Sequence, residues 1–284
     1  MKKIRLNFQS LSCSQQALLL QKETLPETPK RLLLVHGAGI GGELTWSFVA
    51  HYLDAWDEIL IPDLAGMGHS AFLSNKIPSL DDYLQQLNEL VAQVGWPDFH
   101  FDLAGYSFGG MLVERWLRKT DFSGLCFLIE PAMLFSADAQ QILDKSKNYA
   151  AAAKGILQDP LNEAAYVQFL DNVSPKRDRS DKSEQIIIKR LQQNPIGFAH
   201  SLLAITESLN NDSEYFTQWV SPWSGASFVG GLSWPAMHQR HKRLAEESSH
   251  WHYETVANAD HSLVFTRPRT VALVMNKLKK NIDF

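Results

Sequence analysis

The sequence predicts an α/β protein: a mostly parallel sheet with helices on both faces, interrupted late in its course by a helical insertion. Three observations predict it. Short apolar runs alternate with amphipathic stretches through the first half of the chain. The alternation stops after Pro131, where Leu134 to Tyr215 is polar, Ala- and Leu-rich and free of any strand pattern. It then resumes at Ala226–Gly231.

The elements follow in order. Ile4–Leu11 and Gln16–Gln21 read as two strands separated by the polar Ser12–Gln15, and Arg31–Val35 as a buried strand entering a tight loop at His36-Gly37. In Leu44–Leu53 the positions Trp46, Val49 and Leu53 share one helical face. A strand (Glu58–Ile61) and a loop (Pro62–Ser79) precede a helix opened by Ser79, with Asp81 and Asp82 in its first turn. Phe99–Leu103 and Leu125–Ile129 are strands on either side of a helix, Phe108–Arg118. After the insertion come the strand Ala226–Gly231, the helix Met237–Glu247, the strand Tyr253–Val256 and a last helix from Thr270 to Lys280.

Composition excludes several classes. Hydrophobic residues at 45% and charged residues at 20% suit a soluble globular protein. The net charge of −4 comes without a dense Lys/Arg run, which argues against a nucleic-acid partner. Lys176-Arg177-Asp178-Arg179 reads as a solvated loop. Cys13 and Cys126 form neither a disulfide framework nor a zinc spacing, and Cys126 reads as a buried thiol. The basic N-terminus leads into no signal-peptide core, and no apolar run is long enough to span a bilayer, so a cytoplasmic location is expected.

The strongest chemical signal is Gly105-Tyr106-Ser107-Phe108-Gly109, followed by Gly110. A strand turning sharply into a helix holds the middle residue strained and raised above the sheet, and crowded backbones demand small residues beside it. This makes Ser107 the candidate nucleophile. A tetrahedral intermediate also needs backbone donors for its oxyanion. Phe108 can supply one N–H at its helix N-terminus, and Ala38 in His36-Gly37-Ala38-Gly39 the other. His36 itself reads as structural.

The succession of His36-Gly37-Ala38-Gly39, Trp46, Pro62-Asp63-Leu64-Ala65-Gly66-Met67-Gly68-His69-Ser70, the Ser107 turn and a late Asp260-His261 resembles the α/β-hydrolase superfamily, over nearly the whole chain. The resemblance implies an eight-stranded sheet with a core of residues 1–133 and 217–284. It also implies a helical lid, 134–216, inserted after the sixth strand. His261 matches the family's catalytic histidine, the base for Ser107. The segment around Asp63 matches a structural loop, with no catalytic duty for Asp63 or His69.

The acid departs from the pattern. The family usually carries it after the strand here ending in Gly230-Gly231, where Ser233 and Trp234 stand, and no Asp or Glu lies between Glu214 and Glu246. Glu130, ending the strand Leu125–Ile129, is the candidate replacement, since strand carboxyl ends face the active-site edge of such sheets. Some lipases of the superfamily keep their acid there. A Ser–His dyad and an inactive site remain open.

Phe169, Phe198, Leu202, Leu203 and Phe216 are the lid residues expected at the pocket. The leading expectation is hydrolysis of a carboxylic ester or thioester of an uncharged, hydrophobic small molecule through an acyl-serine intermediate. Carbon–carbon bond hydrolysis, acyl transfer and a silent binding protein are the alternatives. A serine nucleophile argues against dehalogenase and epoxide-hydrolase chemistry, which use aspartate on this fold. No cofactor or metal is implied, because the glycine-rich stretches lack dinucleotide-binding spacing. The oligomeric state has no signal in the sequence.

Overall fold

A computed structural model describes residues 1–10, 12–96 and 100–282. Its sheet opens with β1 (Lys2–Gln9) and β2 (Cys13–Gln21), paired antiparallel. Next come β3 (Arg31–Val35), α1 (Gly42–His51), β4 (Glu58–Pro62), a two-residue β5 (Ala71–Phe72) and α2 (Leu80–Gln93). Then β6 (Asp102–Tyr106), α3 (Phe108–Leu117) and β7 (Cys126–Ile129) complete the first half. Four helices follow: α4 (Ala139–Gln158), α5 (Glu163–Val173), α6 (Asp181–Leu191) and α7 (Pro195–Gln218). The chain ends with β8 (Gly225–Gly230), α8 (Pro235–Glu247), β9 (Trp251–Val256), α9 (Leu263–Thr266) and α10 (Pro268–Ile282).

The strand order is β1-β2-β4-β3-β6-β7-β8-β9, with β5 added against β2. β2 runs antiparallel to β4, and every pairing from β4 through β9 is parallel. The eight expected strands are all present, and β5, too short for a periodic signal, is the ninth. The insertion of α4–α7 falls after the sixth of those eight, which is β7 here.

Residues alternate between two cores because successive side chains of a strand point to opposite faces. In β3, Leu33 and Val35 join the side packed by α2 and α3, whereas Leu32 and Leu34 join the side packed by α1 and α10. The apolar faces of α4, α5 and α7 belong to the first of these cores, so the insertion is continuous with one face of the sheet. α2 starts in a capping box, Ser79 accepting from Asp82 N–H while the Asp82 carboxylate accepts from Ser79 N–H.

One strand is displaced from its expected position. The run Phe99–Leu103 is replaced by Asp102–Tyr106, Phe99 lying outside the described residues, as does Leu11 of the expected first strand. Asp102 can enter a buried strand because its carboxylate accepts from Trp56 Nε1 and Leu125 N–H and pairs with Lys279.

Candidate active site

The turn between β6 and α3 is as tight as its glycines require. Ser107 has φ 53° and ψ −114°, a conformation that L-residues rarely adopt. A Cβ on Gly109 would stand 2.3 Å from Val35 O, and one on Gly105 would stand 2.5 Å from Gly109 O. Gly105 therefore stays inside β6, paired with Leu128, rather than forming the bend. The Ser107 N–H donates to Ile129 O at 2.9 Å, and its carbonyl accepts from Ala132 N–H at 3.0 Å. These two bonds fasten the turn to the end of β7.

Glu130 sits in that same β7 end, with φ 41° and its N–H donating to Phe228 O. The backbone bend sends its side chain inward, where it is fully buried. Oε2 lies 2.8 Å from His261 Nδ1, and His261 Nε2 lies 3.1 Å from Ser107 Oγ. Oε1 accepts from Gly230 N–H at 2.7 Å and from the Ser233 hydroxyl. The structure thus brings Ser107, His261 and Glu130 into one hydrogen-bonded chain. It also turns Ser233, at the usual acid position, into a donor that steadies the carboxylate. With Nδ1–H pointing at Glu130, Nε2 is free to accept the serine proton, which is the arrangement a base needs.

Ala38 and Ser107 line the same cavity, together with Tyr106 and His261. Among the described residues, neither Ala38 N–H nor Phe108 N–H donates to a protein acceptor, whereas the next N–H, Gly39, is taken by Met67 Sδ at 3.0 Å. Two unclaimed donors flank the serine. His36 takes no part in the chain. It is buried, its Nδ1 donates to Gly37 O at 2.6 Å, its Nε2 accepts from Leu64 N–H at 2.8 Å, and desolvation lowers its pKa. Asp63 is structural too, accepting from the N–H groups of Gly42 and His69.

A sequence model of the alpha/beta hydrolase family matches residues 32–273. The chain belongs to that family. No curated protein sequence matches it. Among solved structures it is similar to a thermophilic esterase from Thermogutta terrifontis, at 17% identity and a TM-score of 0.68, with 99% of each chain covered. It is also similar to a loop variant of a haloalkane dehalogenase from Bradyrhizobium elkanii, at 14% identity and TM-score 0.73, covering 100% of this chain and 98% of that one. A third is an alpha/beta hydrolase from a Medee basin deep-sea metagenome library, at 12% identity and TM-score 0.70, with 96% of each chain covered. At these identities the likeness speaks for the fold alone.

The cavity of this α/β hydrolase has a volume of about 230 Å³ and lies between the Ser107 turn and the insertion. Of the five apolar residues expected there, only Phe169 lines it. Phe198, Leu202 and Phe216 are buried in the core and Leu203 packs against it, so they hold the insertion onto the sheet. The lining comes instead from one face of α5 (Phe169, Leu170, Val173) and one face of α6 (Ile187, Arg190, Leu191). Arg177 corrects the expectation of a solvated loop. It is buried, paired with Asp171 and Glu184, and it lines the cavity with Arg190.

Sequence reasoning missed further residues around the site. The Tyr106 hydroxyl donates to His261 O at 2.9 Å, fixing the loop that carries the imidazole, and burial pushes its pKa well up. Lys145 of α4 is buried, donates to Asn172 O at 2.7 Å and lies over the Phe135 ring. Burial drives its pKa down to about 8, with the Glu130 charge opposing. Only the adjacency of Tyr106 to Ser107 was visible locally. No helix among the described residues is long and apolar enough to cross a membrane.

Proposed function

We propose that this protein is a serine hydrolase that cleaves a carboxylic ester or thioester of a small, largely hydrophobic molecule through an acyl-Ser107 intermediate. The observation that carries the reading is the chain Ser107 Oγ–His261 Nε2, 3.1 Å, continuing from Nδ1 to Glu130 at 2.8 Å. His261 takes the hydroxyl proton as Oγ adds to the carbonyl carbon, and the oxyanion so formed meets the Ala38 and Phe108 N–H groups. The proton then passes to the departing alcohol or thiol, leaving the acyl group on Oγ. Water attacks that acyl group, giving its proton to His261, and His261 returns it to Ser107 as the carboxylic acid leaves.

Glu130 holds the imidazole in the productive tautomer and balances its charge while it carries the extra proton. Segment 134–216 acts as the lid, since α5 and α6 supply much of the cavity wall and enclose the acyl chain over Ser107. The apolar part of that wall favours an acyl chain. The test is labelling with a fluorophosphonate and turnover of short-chain aryl esters. Both are expected from the wild type and lost in Ser107→Ala and His261→Ala. An unlabelled, inactive wild type would leave a binding protein on a hydrolase scaffold.

A further inference from the structure

Among the described residues, the wall of the cavity over Ser107 holds two arginines and no Asp or Glu. Their situations differ. The Arg177 guanidinium is used up: it donates to Glu184, Asp171 and Ser174 O, and Asp171 also pairs with Arg179. Two guanidinium groups against two carboxylates leave that cluster neutral. Arg190 forms no ion pair or hydrogen bond through its side chain with any described residue.

Arg190 is also well aimed. Ile187, Arg190 and Leu191 stand at positions i, i+3 and i+4 of α6, which puts them on one helical face, and all three line the cavity. Leu191 rests against the loop of Ala38, a Cβ on Gly39 falling 2.5 Å from its Cδ2. The half-buried Arg190 thus lines the same cavity as the Ala38 loop and directly precedes the residue that packs against it, in a wall otherwise dominated by apolar side chains. A guanidinium placed so, without a protein carboxylate, is a partner for a ligand oxyanion, which it can engage through two parallel N–H donors.

We propose that the substrate carries an anionic group, a carboxylate or a phosphate, and that Arg190 binds it while Ser107 attacks the ester or thioester elsewhere in the same molecule. This rests on the serine-hydrolase reading and replaces the uncharged substrate expected from the sequence with a hydrophobic chain bearing one negative end. A carboxylate would terminate the acyl chain, whereas a phosphate would belong to the leaving group.

Two matched pairs separate these sources. The first is the hemi-methyl ester of a dicarboxylic acid against the dimethyl ester, over graded chain lengths. The second is an acyl-phosphopantetheine thioester against the acyl-pantetheine thioester. The wild type is expected to prefer the anionic member of one pair, and Arg190→Gln to lower that preference in kcat/KM by about tenfold or more, chiefly through KM. Arg190→Lys should retain part of it, and added salt should weaken it in the wild type. A wild type that favours the neutral member of both pairs, or a preference unchanged in Arg190→Gln, overturns the proposal.

If no ester is cleaved and Ser107 resists the fluorophosphonate, the hydrolase reading has failed, and the anion site is then judged by binding alone. Calorimetry on Ser107→Ala with the anionic and neutral members, with and without Arg190→Gln, gives that answer. Arg190-dependent preference for the anion keeps the site, and its absence removes it.

Discussion

The Ser233 hydroxyl donates to Oε1 of Glu130, the carboxylate whose other oxygen faces His261 Nδ1. A serine in the loop after β8 and a glutamate at the end of β7 thus meet at one point beside the imidazole. The proposed role of Glu130 gives a direct expectation. Glu130→Gln should lower kcat on a short-chain aryl ester by about 100-fold to 10,000-fold, with the circular dichroism spectrum unchanged. Activity within a few-fold of wild type would mean that His261 works without this acid. Adding Ser233→Asp to Glu130→Gln should recover part of the loss, since position 233 already reaches the same spot.

The crowding at the Ser107 turn predicts a structural failure. Gly109→Ala would press a methyl group to 2.3 Å from Val35 O and 2.5 Å from His36 O, both of them backbone atoms. The neighbouring strand end cannot yield as a side chain would. Soluble yield should collapse, or the urea midpoint should fall by an amount equivalent to about 3 kcal/mol or more. A midpoint close to wild type would show that β3 and α3 can separate at this point.

Acid sensitivity should arise from a buried histidine. His241 is fully buried, and desolvation first, then the charges of Arg240 and His238, bring its pKa from 6.5 to about 3. Between those values the unfolded chain binds a proton that the folded chain does not, so stability falls as pH drops through that window. His36, lowered by the same cause, adds a contribution of the same sign. Urea titrations across the window should give a shallower pH dependence for His241→Phe than for wild type. Equal slopes would place the acid sensitivity elsewhere.

Lys145 should act at the alkaline end. Burial lowers its pKa from 10.5 to about 8. Through that interval the unfolded chain keeps a proton that the folded chain has released, and the contribution of this group to stability rises with pH. Lys145→Met should flatten that rise in urea titrations. An unaltered slope would show that Lys145 stays charged beside Phe135 and Glu130.

The legible parts of this protein were those with a local cause. Ser107 was readable because close backbone contact demands glycine at fixed spacing around it. Glu130 stood out because β8 ended without an acid and β7 ended with one. The contacts of Tyr106 with His261 and of Ser233 with Glu130 join residues far apart in sequence and leave no periodic trace. Arg177 looked solvated because charge runs usually are, whereas folding supplied it with Asp171 and Glu184. The expected run for β6, Phe99–Leu103, included Asp102 but stopped short of Ala104-Gly105-Tyr106, because a glycine reads as a strand breaker. Inside this sheet the aspartate is fully satisfied, and the glycine answers to close contact with α3.

The bond between Ser233 and Glu130 outlines a route by which a lineage could move its carboxylate from one strand to another. An aspartate arising at position 233 while Glu130 is still present would put two acids against one another, and burial would make them share a proton. Such a pair keeps one negative charge beside the imidazole throughout, so either member could then be lost without an inactive ancestor. The exchange runs equally well in both directions.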